Sequence, residues 1–576
     1  MRSWMVSVLV VLGLASFSVG DTVTAWGVVF HDRNGDGVRQ AGEEGLPGVA
    51  VSDGRAVVLT GDDGGWELEI DAADAIVFVV KPAGYQVVLD GLNLPRGYYV
   101  HKPAGSPDEG FIFEGVDPTG ELPEVIQFAL REVEESDRFT VIAFGDPQPY
   151  NLAQIDWFRR EVVDPLVNAE GITNGAVFGI SLGDLVGDNL DLFGPLNEAQ
   201  ALFGIPWYNV LGNHDMNFMS GGTPATEADP DRYSDETYER VFGPLTYAVQ
   251  YGRVHLIVLD NVKWNGFAGY REGDHPDWST ARRPVTNNYQ GHFREDQLAF
   301  LENYLAVVPK DELVVLAMHI PLNSADGQHE IPETRRLLEI LSSHPHTLSI
   351  SGHTHYQKHW HFGAEQGYAP DPELGRLNQH VLHDPSRHAA APHHHGNFVT
   401  VSGSWYGGLR DEEGVPHTTM RDGAPNGYTL IHFDGNRYRT EFRAARRPAD
   451  HQMTLHVVEG EGGGGVLYAN VFNGMKGDVV EVRIVPAVVT GRAATGWMAM
   501  AYTEELDPLY VSVRNGEAAI PGEVRPGGVS PRPQTSYHLW KAEVPAGLLP
   551  GTHLLEVRHV DQFGVERRDR YSHRVE

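Results

Sequence analysis

Between residues 137 and 445 the apolar positions fall into short runs rich in Val, Ile and Leu, each followed by a stretch of helical period. TVIAFGD precedes QIDWFRREVVDPLV, AVFGISLGD precedes LNEAQALFG, ELVVLAMHIP precedes PETRRLLEILSS, and PWYNVLGNHD, VHLIVLD and TLSISGHTH add further strands around REDQLAFLENYLAVV. Strand and helix in alternation predict a largely parallel sheet with both faces covered. On either side the period changes. TVTAWGVVF, GVAVSDG, GWELEI and AIVFVVKP within residues 21–132 are broken by Gly, Asp and Pro, as are GGGVLYANVFNG, DVVEVRIVP and TSYHLWKAEVPAGLLPGTHLLEVRHVD within residues 446–576. Both stretches predict all-β sandwiches. The expected fold class is multidomain α+β, with domains at 21–132, 137–445 and 446–576 and the acidic linker EVEESD at 132–137.

Arg2, the apolar run over residues 5–15 and Ser18-Val19-Gly20 before Asp21 have the layout of a secretory signal peptide, expected over residues 1–20. The rival reading is an uncleaved anchor, although the run is shorter than a membrane span requires. The mature chain is expected to carry no transmembrane segment and to be secreted, periplasmic or at the cell surface. A length of 576 residues allows several domains, and the absence of cysteine excludes disulfides and thiolate metal sites. The formal charge of −34 argues against a nucleic acid polymer as partner, because such binding relies on Lys and Arg neutralising phosphates. A small phosphorylated substrate held by cations is compatible with it.

The chemistry sits at the ends of the apolar runs. FGDPQ, LGDLVGD, LGNHD, AMHIP and SGHTH place Asp146, Gln148, Asp184, Asn213, His319, His353 and His355 at strand ends. Ligands in open α/β sheets bind beyond the carboxyl ends of the strands, so these seven oxygen and nitrogen donors are read as the ligands of two divalent metal ions. Oxygen and nitrogen donors without thiolate suit manganese, iron, zinc or magnesium. Asp184 is the candidate bridge. Asp146, Gln148 and His355 would complete one metal, and Asn213, His319 and His353 the other; in an extended GHTH segment, residues 353 and 355 point to the same side. Two metals sharing a hydroxide supply a nucleophile and clamp a phosphoryl group. His214 is the candidate general acid, oriented by Asp188 or Asp215.

Two other stretches stand out. DRNGDGVRQAGE at residues 32–43 has the spacing of a Ca²⁺ loop, with Asp32, Asn34, Asp36, Val38 and Glu43 as candidate ligands and Gly37 at the sharp turn. The alternative is a solvated Asx-rich turn without metal. This stretch resembles the structural repeats of exported bacterial surface proteins. Residues 355–396 show little periodicity and many histidines, among them His359, His361, His380, His383, His388 and 393–395. Such a segment reads as a lid or substrate wall, or as a surface loop with incidental histidines. A strand is expected over 397–408, whose Trp405 and Tyr406 either flank a substrate or belong to the core.

G-D-x-Q, G-D-x-x-x-D, G-N-H-D, a strand-borne His and G-H-x-H together resemble the calcineurin-like metallophosphoesterase superfamily over residues 137–445. The resemblance implies a central four-layered α/β/β/α sandwich, the metal ligands assigned above and His214 as the catalytic histidine. Gln148 stands where the family's first motif usually has histidine. That variant is similar to the one in the manganese-dependent ADP-ribose/CDP-alcohol pyrophosphatase-like branch and in some protein-phosphatase-like relatives, and an amide oxygen tilts the first site toward Mn²⁺ or Mg²⁺ and away from Zn²⁺. The layout resembles exported bacterial enzymes with paired β accessory domains. The expected activity is hydrolysis of a small-molecule phosphodiester, pyrophosphate or phosphomonoester. The alternative is an inactive surface binding or structural protein built on the β modules.

Overall fold

The computed structural model describes residues 21–107, 111–168, 172–217, 230–266, 289–323, 331–362, 393–486 and 493–576. The expected signal peptide and His380, His383 and His388 lie outside them. The chain forms two compact units, Met1–Phe139, Gly175–Ser349 and Phe433–Arg437 in the first, Thr140–Asn174, Ile350–His432 and Tyr438–Glu576 in the second.

In the first unit, residues 21–132 form two four-stranded sheets. One runs in the order Gly65–Asp71, Thr22–His31, Ile126–Glu132, Tyr85–Val87; the other in the order Val57–Leu59, Ala50–Ser52, Ala75–Val79, Tyr98–His101. Alternation drives this: Gly65–Asp71 exposes Glu67 and Glu69 and buries Trp66, Leu68 and Ile70, and Trp66 stacks on Phe128 at 5.8 Å. The module is clasped to the rest of its unit by buried charge. Lys102, 3% exposed, reaches Glu236 at 2.7 Å, Glu239 at 2.6 Å and Asp74 at 3.0 Å.

The α/β part of this unit holds the parallel pair Ala176–Ser181 and Trp207–Asn209, and Val254–Val258 between antiparallel Tyr247–Tyr251 and parallel Leu313–Ala317. All five residues of Leu313–Ala317 are buried, as a strand covered on both faces requires. Helices at Phe193–Ala201, Glu295–Leu305 and Thr334–Leu341 fall where the period places them.

In the second unit, the strands Arg138–Phe144, Gly427–Asp434 and Arg437–Ala444, apart from their ends, lie side by side in that order. The helical stretch after the first of these runs as Leu152–Phe158, a π-turn at Arg159–Val163 and Asp164–Asn168. Asn151 caps it by accepting the Gln154 N–H. The C-terminal module has two four-stranded sheets packed on Leu467, Trp540, Leu555 and Val557. It also carries a helix, Pro508–Ala519, which the sandwich expectation lacked; Asp507 caps its first amides and Pro508 opens it.

Two expectations are corrected. The histidine-rich segment is not a loop throughout: Lys358–Phe362 and His393–Asn397 pair as antiparallel strands with His361 opposite His394. His359, His361 and His393 to His395 are buried, and burial holds their imidazoles neutral, so they serve as core there. His394 faces the Tyr438 hydroxyl at 2.9 Å and His359 Nδ1 at 3.0 Å, and His359 Nε2 faces Asn473 Oδ1 at 3.1 Å. The strand expected over 397–408 instead ends at Asn397, and turns follow, because Gly403, Trp405 and Tyr406 adopt positive φ.

Candidate metal centre

The first unit assembles Asp184, Asp188, Asn213, His214 and His319 after its strands. Gly183 and Gly212 make this approach feasible. A Cβ on Gly212 would lie 1.9 Å from the Asp184 nitrogen, and one on Gly183 would lie 2.4 Å from His319 Nδ1. His319 is fully buried, with Nδ1 2.8 Å from the Leu182 carbonyl oxygen and Nε2 2.9 Å from Asn213 Oδ1 and 3.2 Å from Asp184 Oδ1. Asn261 secures its backbone. The Asn261 Oδ1 accepts the N–H of His319 at 3.2 Å and of Ile320 at 3.0 Å, and its amide donates to the Ile320 carbonyl at 2.6 Å.

His214 donates its backbone N–H to Asp184 Oδ1 at 2.9 Å, and its Nδ1 meets Asp188 Oδ1. Burial works against protonation of this imidazole, but the carboxylates of Asp188, Asp184 and Asp215 outweigh it and push it up to about 10. Of the two carboxylates proposed to orient His214, Asp188 does so. Asp215 turns onto the loop instead, accepting the N–H groups of Leu185 at 3.0 Å, Val186 at 3.0 Å and Gly212 at 2.8 Å.

The second unit assembles Asp146, Gln148, His353 and His355. The Asp146 carboxylate accepts the His353 N–H at 2.8 Å and lies 3.7 Å from His355 Nε2, while His355 Nδ1 is 2.6 Å from the Gly403 carbonyl oxygen. The GHTH segment is not extended here: His353 and His355 have φ of +77° and +53°. Asp146, Gln148, Asp184 and Asp188 share this left-handed conformation. Non-glycine residues adopt it at a cost of roughly 1–3 kcal/mol each, and such strain gathers at functional sites.

The imidazoles test whether these residues suit metal ions. A carbonyl oxygen only accepts, so Nδ1 of both His319 and His355 donates to it, and Nε2 is the nitrogen turned toward a carboxylate. For His319 that nitrogen meets Asn213 Oδ1 and Asp184 Oδ1 where water does not reach. Two oxygens and an imidazole nitrogen gathered in this way are the donor set of a divalent ion, and a backbone carbonyl on the far nitrogen is the usual support of a metal-binding histidine. The residues fit oxygen- and nitrogen-seeking divalent ions.

Sequence reasoning did not find Asn261 or the Leu182 and Gly403 carbonyls, since neither a buried Asn nor a backbone oxygen leaves a pattern. The Asp32–Glu43 loop is well formed. Asp32 accepts the N–H groups of Gly35 and Gly37 at 2.7 and 2.9 Å, Asp36 that of Val38 at 2.9 Å, Asn34 that of Asp36 at 3.1 Å, and Glu43 those of Arg33 and Gln40 at 3.1 and 2.8 Å. Val38 is exposed.

A site of this make belongs to the metal-dependent phosphoesterases, and three family models bear on it. The calcineurin-like phosphoesterase model matches residues 139–357, the model for the N terminal of calcineurin-like phosphoesterase matches 33–116, and that for the C terminal matches 395–566. The chain belongs to the calcineurin-like phosphoesterase family, with N- and C-terminal domains flanking the catalytic one in sequence. Among solved structures, the purple acid phosphatase PPD1 from yellow lupin (Lupinus luteus) seeds is similar at 12% identity with a TM-score of 0.33, covering 74% of this chain and 67% of that one. No curated protein matches the sequence. Among the described residues no helix is long and apolar enough to cross a membrane.

Proposed function

We propose that this protein is an exported phosphoesterase that holds two divalent metal ions, manganese in preference to iron, zinc or magnesium. Its proposed substrate is a small phosphodiester or pyrophosphate in preference to a monoester. Asp146, Gln148, Asp184, Asn213, His319, His353 and His355 would hold the ions, with Asp184 the candidate shared ligand. When bound, such a pair supplies a nucleophile at neutral pH and neutralises charge on the phosphoryl oxygens. The side chains do the rest. His319 and His355 point Nε2 by donating Nδ1–H to a carbonyl, and His214 brings a proton to the leaving oxygen while Asp188 holds its ring in place.

The observation that carries this reading is the shared posture of His319 and His355, each braced on a backbone carbonyl and turned onto a carboxylate. Gln148 favours a harder ion, which supports manganese, and the apolar run before Asp21 supports export. Release of p-nitrophenol from bis-p-nitrophenyl phosphate and from p-nitrophenyl phosphate, with Mn²⁺ added, tests it. The diester is expected to be cleaved faster. Failure on both and on nucleotide-linked esters, with Asp184→Asn behaving as wild type, would favour the inactive surface protein.

A further inference from the structure

The turns after His393–Asn397 carry strain that the metal-binding residues do not account for. Trp405 and Tyr406, two bulky residues in succession, have φ of +55° and +53°, a conformation that side chains adopt only where their surroundings enforce it. For Tyr406 the surroundings do. Its ring is buried, its hydroxyl donates to the Pro147 carbonyl at 2.8 Å and its N–H to the Ser402 carbonyl at 3.0 Å. Trp405 has no such burial.

The segment bearing Trp405 is tied to the chain around Asp146. The N–H groups of Val401 and Ser402 donate to the carbonyls of Gly145 and Asp146 at 2.7 and 3.2 Å. Gly403 braces His355, and the Trp405 indole stacks on the His355 imidazole, centroids 4.3 Å apart and planes 29° from parallel. The Arg421 guanidinium lies 5.9 Å from the indole centroid, its Nε anchored on the Arg532 carbonyl at 3.0 Å. Core packing does not explain a half-buried indole held beside these two groups, part of its ring still open to solvent. A partly open flat ring with a guanidinium over it fits a ligand that is itself flat and aromatic and carries negative charge nearby.

We propose that Trp405 is the platform on which an aromatic group of the substrate stacks, with Arg421 as its cationic edge. The preferred substrates are then phosphodiesters or pyrophosphates bearing a nucleobase or another flat aromatic ring. This specificity rests on the phosphoesterase reading of the same site.

The test compares the mixed pyrophosphate of thymidine and methanol with dimethyl pyrophosphate, using the full chain loaded with Mn²⁺ and following cleavage by phosphorus NMR. Wild type prefers the thymidine compound. Trp405→Leu lowers the ratio of the two kcat/KM values by about 10-fold or more, chiefly through KM, and Trp405→Phe restores most of it. An unchanged ratio overturns the proposal. So does an equal fall on both compounds with loss of bound metal, which would make Trp405 only a brace for His355. Should wild type cleave neither these nor bis-p-nitrophenyl phosphate, the phosphoesterase reading is what fails. Trp405 is then judged by equilibrium dialysis of thymidine 5′-monophosphate: weaker binding to Trp405→Leu supports the platform, and equal binding overturns it.

Discussion

His214 and Asp188 are joined twice: the imidazole Nδ1 meets the Asp188 carboxylate, and the Asp188 N–H donates to the His214 carbonyl at 3.2 Å. The double tie fixes ring and backbone together, which suits a proton donor that must keep one orientation. His214→Ala is expected to lower kcat by roughly 10²- to 10⁴-fold with metal content intact. Metal analysis alongside kinetics checks this, and loss of metal would make His214 a ligand.

Asp184→Asn is expected to lower metal occupancy and to remove activity together, since the carboxylate is assigned to both ions. Occupancy is read by elemental analysis after dialysis against Mn²⁺. Turnover near the wild-type rate would contradict the bridge.

Lys102→Met is expected to cost about 3–5 kcal/mol, because it removes the buried cation that Glu236, Glu239 and Asp74 share. The Lys102 side chain is 3% exposed and that of Glu236 is 1% exposed, so water does not replace the pair. Chemical denaturation of wild type and variant measures the difference; a loss below about 1 kcal/mol, the scale of a surface pair, would contradict it.

The second unit is expected to be acid-sensitive. Burial, aided by neighbouring imidazoles, holds His361 and His393 down to about 3, and burial holds His359 down to about 4; His394 and His395 are also held well below the ordinary value. Above about pH 6.5 folded and unfolded chains are both neutral at these residues. As pH falls, the unfolded chain takes up protons that the folded one refuses, so stability is lost from there down toward the folded values. Urea midpoints in EDTA should fall between pH 7 and 5, and less steeply in His359→Gln. A flat profile would contradict the neutral cluster.

Glu161 governs the alkaline side. Its carboxyl is buried in the π-turn, and burial, helped by Asp411 and opposed by Arg446 and Arg160, pushes it up to about 8. The folded state keeps a proton that the unfolded state releases near the ordinary carboxylate value, so stability is lost as pH rises through about 8. Glu161→Gln keeps the shape without the charge and should raise the melting temperature at pH 9 more than at pH 6. An equal change at both would contradict the assignment.

Much of this architecture is legible in the chain. The alternation of apolar runs and helical periods marks the central strands and helices, and the motifs place Asp146, Asp184, Asn213 and His319 just beyond strands. The posture of the site is less accessible. His353 and His355 share a side through left-handed backbone, which no strand pattern encodes. Residues 393–395 read as polar because histidine counts as polar, although a neutral imidazole with a hydroxyl or another imidazole beside it packs as core. The helix Pro508–Ala519 announces itself only by Asp507-Pro508 amid strand-like runs. Asn261 acts through the main chain of His319, a contact between residues 58 positions apart.

The narrow clearances at Gly183 and Gly212 have a consequence for any mutational scan. Neither residue has a side chain to offer, yet a single added methyl at either would collide with His319 or with the main chain of Asp184. Both positions should therefore score as inactivating alongside the ligands themselves, and a map of intolerant sites would mark where room is scarce as plainly as where catalysis occurs.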